Sequence, residues 1–323
     1  MQENEAQKTL FNVPIKKIEE EIEIYHDEVY DNKNRPFGHQ FLIIPTRSKD
    51  IFNEMLTGIR KDYKADNLTI NWKKLRETSN INRNLVAKDW LQLLYNATHN
   101  SPIKFLKINR EIIKSKDSLG IKIGSIFIKS IHEMSDDFWL HVERSEDRTK
   151  RKYETLLKWG VKGCLHFFFN PTFTNYSKIL VKRFYTDGEV FGKVKLSKSR
   201  IFERLENEIR DYIKFDRNID ITKIMKSQDK TAEVNFEELT DIILGATCYL
   251  CGSENKTEWK DKIVAPLKKI YIKKERGKNI EKSGHYRNFS LSYCDVKSLN
   301  FNDWNIALNN KNQNNIFQLP LNF

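Results

Sequence analysis

The sequence predicts an α/β protein built on a mixed β-sheet flanked by helices, and three observations carry that expectation. Short alternating or wholly apolar runs recur along the chain, separated by longer segments with apolar residues three and four apart. Two of the strand-like runs end in acidic clusters, Asp27-Glu28 and Asp187-Gly188-Glu189. The 323 residues are 39% hydrophobic, enough to bury a sizeable core.

In the opening strand, Ile22, Ile24 and His26 share one face and Glu23, Tyr25 and Asp27 the other. Only one of the two end carboxylates, Asp27 or Glu28, is then expected to point into a given site. Turn residues Asp31 to Pro36 lead into a second strand, Phe37 to Pro45, making an antiparallel hairpin. Lys49 to Lys64 is an amphipathic helix carrying Ile51, Phe52, Met55, Leu56 and Ile59. Asn67 to Leu75 is expected as a short strand entering a lysine-rich turn, Leu85 to Ala97 as a helix, and Ile103 to Ile108 as a third extended run. Leu119 to Ile128 fits both periods, with helix favoured after Ser125.

Glu146 to Asn170 is a long helix whose second half is apolar enough to be buried, which makes His166 a core histidine. Pro171 stops it. Ser177 to Thr186 is a strand, Ser199 to Phe215 an amphipathic helix, and Asn218 to Met225 the last strand. In the helix Asn235 to Ala246, Phe236, Leu239, Ile243 and Ala246 form one stripe and Asp241 lies off it, while Glu237 and Glu238 argue for a wet face. Gly245 and Ala246 suggest close packing against a neighbour.

The formal net charge of +12 makes nucleic acid the leading partner class, because excess Lys and Arg draws phosphate backbones through counterion release. No run is long and apolar enough for a membrane span, and no secretory pattern opens the chain. With four cysteines that form no disulfide framework, the expected compartment is the cytoplasm, and the Lys-, Asn- and Ile-rich composition looks bacterial. Cys248 and Cys251 continue an apolar helix and are better read as core packing than as zinc ligands with His285 and Cys294. The densest basic run carries Lys268, Lys269, Lys273, Lys274, Arg276 and Lys278, interleaved with Tyr271, His285, Tyr286 and Phe289. Such a pairing suits phosphates and stacked bases, and it equally suits a solvated lysine-rich helix.

Three features in order carry a family resemblance: a first strand ending Tyr25-His26-Asp27-Glu28, a middle strand ending Tyr185-Thr186-Asp187, and the late helix Phe236-Glu237-Glu238-Leu239-Thr240-Asp241 leading to Gly245-Ala246. They resemble the bacterial family known as domain of unknown function 3800, which is regarded as RNase H-like. The resemblance runs from Glu20 to Cys251, and it implies that Asp27, Asp187 and Asp241 are the catalytic and metal-binding residues. Val29 stands where that family has Ser, and Glu237, Leu239 and Thr240 match its Gln-Leu-Ala loosely. The family's Glu before a Lys-Trp pair has no counterpart here, since Thr69 and Ile70 precede Asn71-Trp72; Glu77 and Glu28 are the candidates to replace it.

The expected organisation is an RNase H-like domain over residues 15–255 and a basic C-terminal extension over 256–323. The expected activity is divalent-metal-dependent cleavage of DNA or RNA with Mg²⁺ or Mn²⁺, because oxygen ligands suit these cations and two of them about 3.5–4 Å apart activate water and stabilise the leaving oxygen. The alternative is a catalytically impaired relative that binds nucleic acid or a protein partner without cutting. A protein partner or self-association stays open.

Overall fold

The tyrosines of the two acid-tipped strands meet as a pair, and the sheet is laid out around them. The computed structural model describes residues 17–29, 37–77, 81–98, 106–108, 111–113, 119–128, 145–171, 174–187, 197–224, 231–251, 254–275, 288–295 and 300–303. β1 (Ile18–Val29) runs antiparallel to β2 (Phe37–Pro45) and parallel to β6 (Tyr176–Thr186), with Tyr25 opposite Tyr185. Their rings stack with centroids 4.8 Å apart. The strand pairing expected of this hairpin is present, while its turn lies outside the described residues.

The remaining strands are β3 (Leu106–Ile108), β4 (Glu111–Ile113), β5 (Lys122–Ile128), β7 (Ile213–Phe215), β8 (Ile221–Lys223), β9 (Phe289–Asp295) and β10 (Asn300–Asp303). The main sheet has eight strands in the order β10-β9-β5-β2-β1-β6-β7, with β8 also pairing with β6, while β3 and β4 form a separate two-stranded ribbon. Helices α1 (Lys49–Asp62), α2 (Ile81–Ala97), α5 (Ala232–Leu250) and α6 (Glu258–Glu275) supply one core with Tyr25, Leu42 and Ile123. On the opposite face, α3 (Ser145–Phe168) and a wide π-type turn, Ser199–Glu203, continuing into α4 (Arg204–Glu208), close over Ile22, Ile24, Phe41 and Val181. The fold is therefore a helix-flanked mixed α/β sheet, as its sequence predicts.

Four local expectations are corrected. Within Leu119 to Ile128 the regular part, Lys122–Ile128, is strand and not helix after Ser125: β5 is an inner strand buried along its whole length, and a strand covered on both faces loses the alternation that would identify it. Asn67 to Leu75 is not a strand but a pinned loop ending in the 3₁₀ turn Trp72–Lys74. The helix expected over Ser199 to Phe215 breaks at Ile209, whose backbone is extended, because Ile213–Phe215 pairs with Ile179–Val181 at the sheet edge. The strand at Ile221–Lys223 is not the last. β9 joins β5 in parallel, and Ile263, Val264, Leu267, Phe289 and Leu291 enter the core, so this part of the chain beyond residue 256 is built into the fold rather than appended to it.

α3 approaches the sheet through small residues. A Cβ on Gly160 would stand 2.6 Å from Phe41 Cε2 and 2.7 Å from Ile126 Cγ2, whereas one on Gly163 would meet nothing within 4 Å. Both are helical, so alanine at either gains about 1 kcal/mol of helix propensity. At position 160 that gain is set against about 1–3 kcal/mol of overpacking. Urea melts are expected to show Gly160→Ala destabilised or at best neutral and Gly163→Ala stabilised by up to about 1 kcal/mol, an order that is lost if α3 packs elsewhere.

Candidate metal centre

Parallel strands end on the same side of a sheet, and the register His26↔Thr186 puts the next residues of β1 and β6, Asp27 and Asp187, side by side at their carboxyl ends. Asp27, Glu28 and Asp187 each offer a carboxylate oxygen within 4.8 Å of the others, and all three are buried. The expectation that only one of Asp27 and Glu28 reaches a given site is corrected. Asp27 Oδ1 turns back to accept the Glu28 backbone N–H at 2.8 Å, and at the strand's end the longer glutamate reaches the same place. The Tyr153 hydroxyl of α3 lies close enough to feel the charge of Glu28, and burial and the nearby carboxylates keep it protonated.

Burial raises the Asp27 pKa well above the usual carboxylate range, and the negative charges of Asp241, Asp187, Glu28 and Glu237 push it further in the same direction. Asp241 is thus part of the same electrostatic cluster, although it stands outside the three-oxygen group. Its Oδ2 accepts the Trp72 backbone N–H at 2.6 Å. Gly245, one turn on, makes room for this contact: a Cβ there would lie 2.1 Å from Trp72 Cγ. The close packing expected from Gly245 and Ala246 is against this ring.

The wet face expected of α5 is absent. Glu237 and Glu238 are each 3% exposed. Glu238 is ion-paired with Arg60 of α1, whose Nε also donates to Asn235 Oδ1 at 2.8 Å and whose guanidinium lies 4.6 Å from the Trp90 ring centre. Glu237 belongs to the field on Asp27. Its only sequence signal was its place one turn before Asp241 on the same helix.

His26 lies on the opposite face from Asp27, as alternation requires. Its Nδ1 is 3.1 Å from Thr186 Oγ1 and its Nε2 is 2.9 Å from His39 Nδ1, a chain crossing β6, β1 and β2 one residue below the acids. Burial lowers the His26 pKa to about 3, so the ring is neutral and braces the strand ends instead of acting as a free base. His166 is half-buried on the rim of a cleft between α3 and β9, with Trp159, Ser290 and Ser292. Cys248 and Cys251 are free thiols in the core, and among the described residues no metal-ligating group includes them. His285 lies outside the described residues. Of the basic run, Lys268 and Lys269 are exposed on α6, Lys273 and Lys274 belong to α6 without described side chains, and Arg276 and Lys278 lie outside the described residues. Glu77 is exposed, whereas Glu28 sits in the cluster.

No family model, curated protein or solved structure matches the chain. Among the described residues no helix is long and apolar enough to cross a membrane.

A carboxyl group whose pKa is raised by folding holds its proton more tightly in the folded chain. Its penalty is absent below the ordinary carboxylate range, grows as pH rises through the raised value and is complete above it. Asp27→Asn is therefore expected to raise the melting temperature of the metal-free protein near neutral pH, by about 2–4 °C for each kcal/mol of repulsion removed. Thermal melts in chelator across pH check this, and a fall in stability at neutral pH would contradict it.

Proposed function

We propose that this chain is an RNase H-like, divalent-metal-dependent nuclease that cleaves the phosphodiester backbone of DNA or RNA. The observation that carries this is the convergence of buried carboxylates from the carboxyl ends of two adjacent parallel strands, Asp27 and Glu28 with Asp187, flanked by Asp241 and Glu237. An all-oxygen donor set of this kind fits hard cations such as Mg²⁺ and Mn²⁺ and not a zinc site built on nitrogen and sulfur. Bound there, such cations supply a more acidic water and stabilise the charge on the leaving oxygen.

The chain's own residues divide the rest of the work. Asp27, Glu28 and Asp187 are the proposed ligands, and Asp241 ties the Trp72 loop to the site. The neutral His26, 3.1 Å from Thr186 Oγ1, braces the two acid-bearing strand ends. The surplus of positive charge supports a polyanionic substrate. The buried free thiols Cys164, Cys248 and Cys251 fit a reducing compartment such as the cytoplasm. One observation favours the second possibility, nucleic-acid binding without cleavage: Asp241 is engaged by the Trp72 amide and stands outside the three-oxygen group.

Incubation with labelled single-stranded DNA, duplex DNA and RNA in Mn²⁺ or Mg²⁺ decides between them. The expected result is metal-dependent cleavage that falls roughly 10²–10³-fold in Asp27→Asn or Asp187→Asn, the scale of losing one group that stabilises transition-state charge. No cleavage of any of these substrates by the unaltered protein would leave the binding role alone.

A further inference from the structure

A carboxylate cluster repels the phosphates it is meant to cut, so a nuclease site of this kind needs cations held at a fixed place beside it. The loop that touches Asp241 exposes three. Lys73, Lys74 and Arg76 follow directly on Trp72, whose backbone N–H is bonded to Asp241, and all three side chains are exposed. Among the described residues none of the three has an acidic partner.

The loop is also pinned by hydrogen bonds. Asn71 Oδ1 accepts the Lys74 backbone N–H at 3.0 Å, capping the turn, and Arg76 Nη1 donates to the carbonyls of Lys73 at 2.6 Å and Leu75 at 3.0 Å. From α2, Asn84 Nδ2 donates to the Arg76 carbonyl at 2.7 Å and Arg83 Nε to the Thr69 carbonyl at 3.0 Å. The Trp72 ring is wedged against Gly245, and its Nε1 donates to Glu254 at 3.1 Å. Lys260 shows the contrast: it is ion-paired with Glu254 and lies over the Trp72 ring at 5.3 Å, so its charge is spent inside the structure. Among the described residues the charges of Lys73 and Lys74 meet no acidic side chain.

We propose that the turn Trp72–Lys74, with Arg76, is the lip over which a nucleic-acid backbone enters the carboxylate site, its phosphates held by Lys73, Lys74 and Arg76. The proposal rests on the nuclease reading of that site and names the residues that bring the substrate to it. It moves the main phosphate contacts away from the basic run after Lys262. Lys268 and Lys269 stand eight and nine residues along α6 from Lys260, about 12 Å further on at 1.5 Å per residue, and become a secondary contact.

The test is fluorescence anisotropy of fluorescein-labelled 20-nucleotide DNA and RNA single strands, titrated over KCl in EDTA so that binding is measured without cleavage. The unaltered protein is compared with a Lys73→Glu, Lys74→Glu, Arg76→Glu triple variant, the matching Gln set, and Lys268→Glu with Lys269→Glu. The lip variants are expected to bind at least tenfold more weakly, with the log–log salt slope shallower by about 2, since each lost single-strand contact removes about 0.7. The α6 pair is expected to lose less. If the Glu set melts early, the Gln set removes the same contacts without adding charge and reads the same quantity. Unchanged affinity and slope in the lip variants, or no binding of either strand by the unaltered protein, overturns the proposal. Cleavage in Mn²⁺ separates the two ideas: an active enzyme whose lip variants bind normally keeps the nuclease and loses the lip, while lost binding with no cleavage by the unaltered protein keeps the lip and loses the nuclease.

Discussion

The parallel pairing of β1 with β6 is the constraint on which the site depends, because it alone brings residues 160 positions apart to the same end of the sheet. Antiparallel neighbours would have sent Asp27 and Asp187 to opposite ends. The stacked Tyr25 and Tyr185 rings and the His26–Thr186 contact hold the register over the last turns of the pleat, where a slip of one residue would move the acids to different faces. A parallel neighbour needs a crossover, and the long α3 provides it while covering the face that carries His26 and Phe41.

The interior contains an unusual amount of charge, handled in three different ways. Glu238 and Arg60 neutralise each other, with Asn235, the Leu68 carbonyl and the Trp90 ring satisfying the rest of the guanidinium. Breaking such a pair from one side costs about 3–5 kcal/mol, so it fixes α1 against α5. His26 and His39 avoid the cost by staying neutral. Asp27 instead lies among the negative charges of Asp241, Asp187, Glu28 and Glu237. Their mutual repulsion is stored at the strand ends, which is where a divalent cation would relieve it.

α5 serves both functions at once. Its apolar stripe of Phe236, Leu239 and Ile243 lies in the core, Asn235 and Glu238 reach toward α1, and Asp241 and Gly245 hold the Trp72 loop. A single helix thus couples the packing of α1, the acidic cluster and the loop that exposes Lys73 and Lys74.

By itself the sequence determined β1 and β6 with their acidic ends, β2 as an apolar run stopped by Pro45, α1, the second half of α3, and the stripe of α5 with Asp241 off it. It also singled out Asp27, Asp187 and Asp241, because acids at strand ends and an acid among small helical residues are local patterns. Tertiary structure decided the rest. β5 lost its alternation by being covered on both faces, and Ile213–Phe215 left a helical pattern because the edge of β6 offered backbone partners. Glu237 and Glu238 read as solvent-facing until α1 and the strand ends enclosed them. That Glu28 joins Asp27 follows from the geometry near a strand's end, and that Trp72 answers Asp241 follows from a contact spanning 169 residues. Neither the end of a pleat nor a long-range hydrogen bond leaves a periodic trace in the chain, so only the folded arrangement assigns those partners.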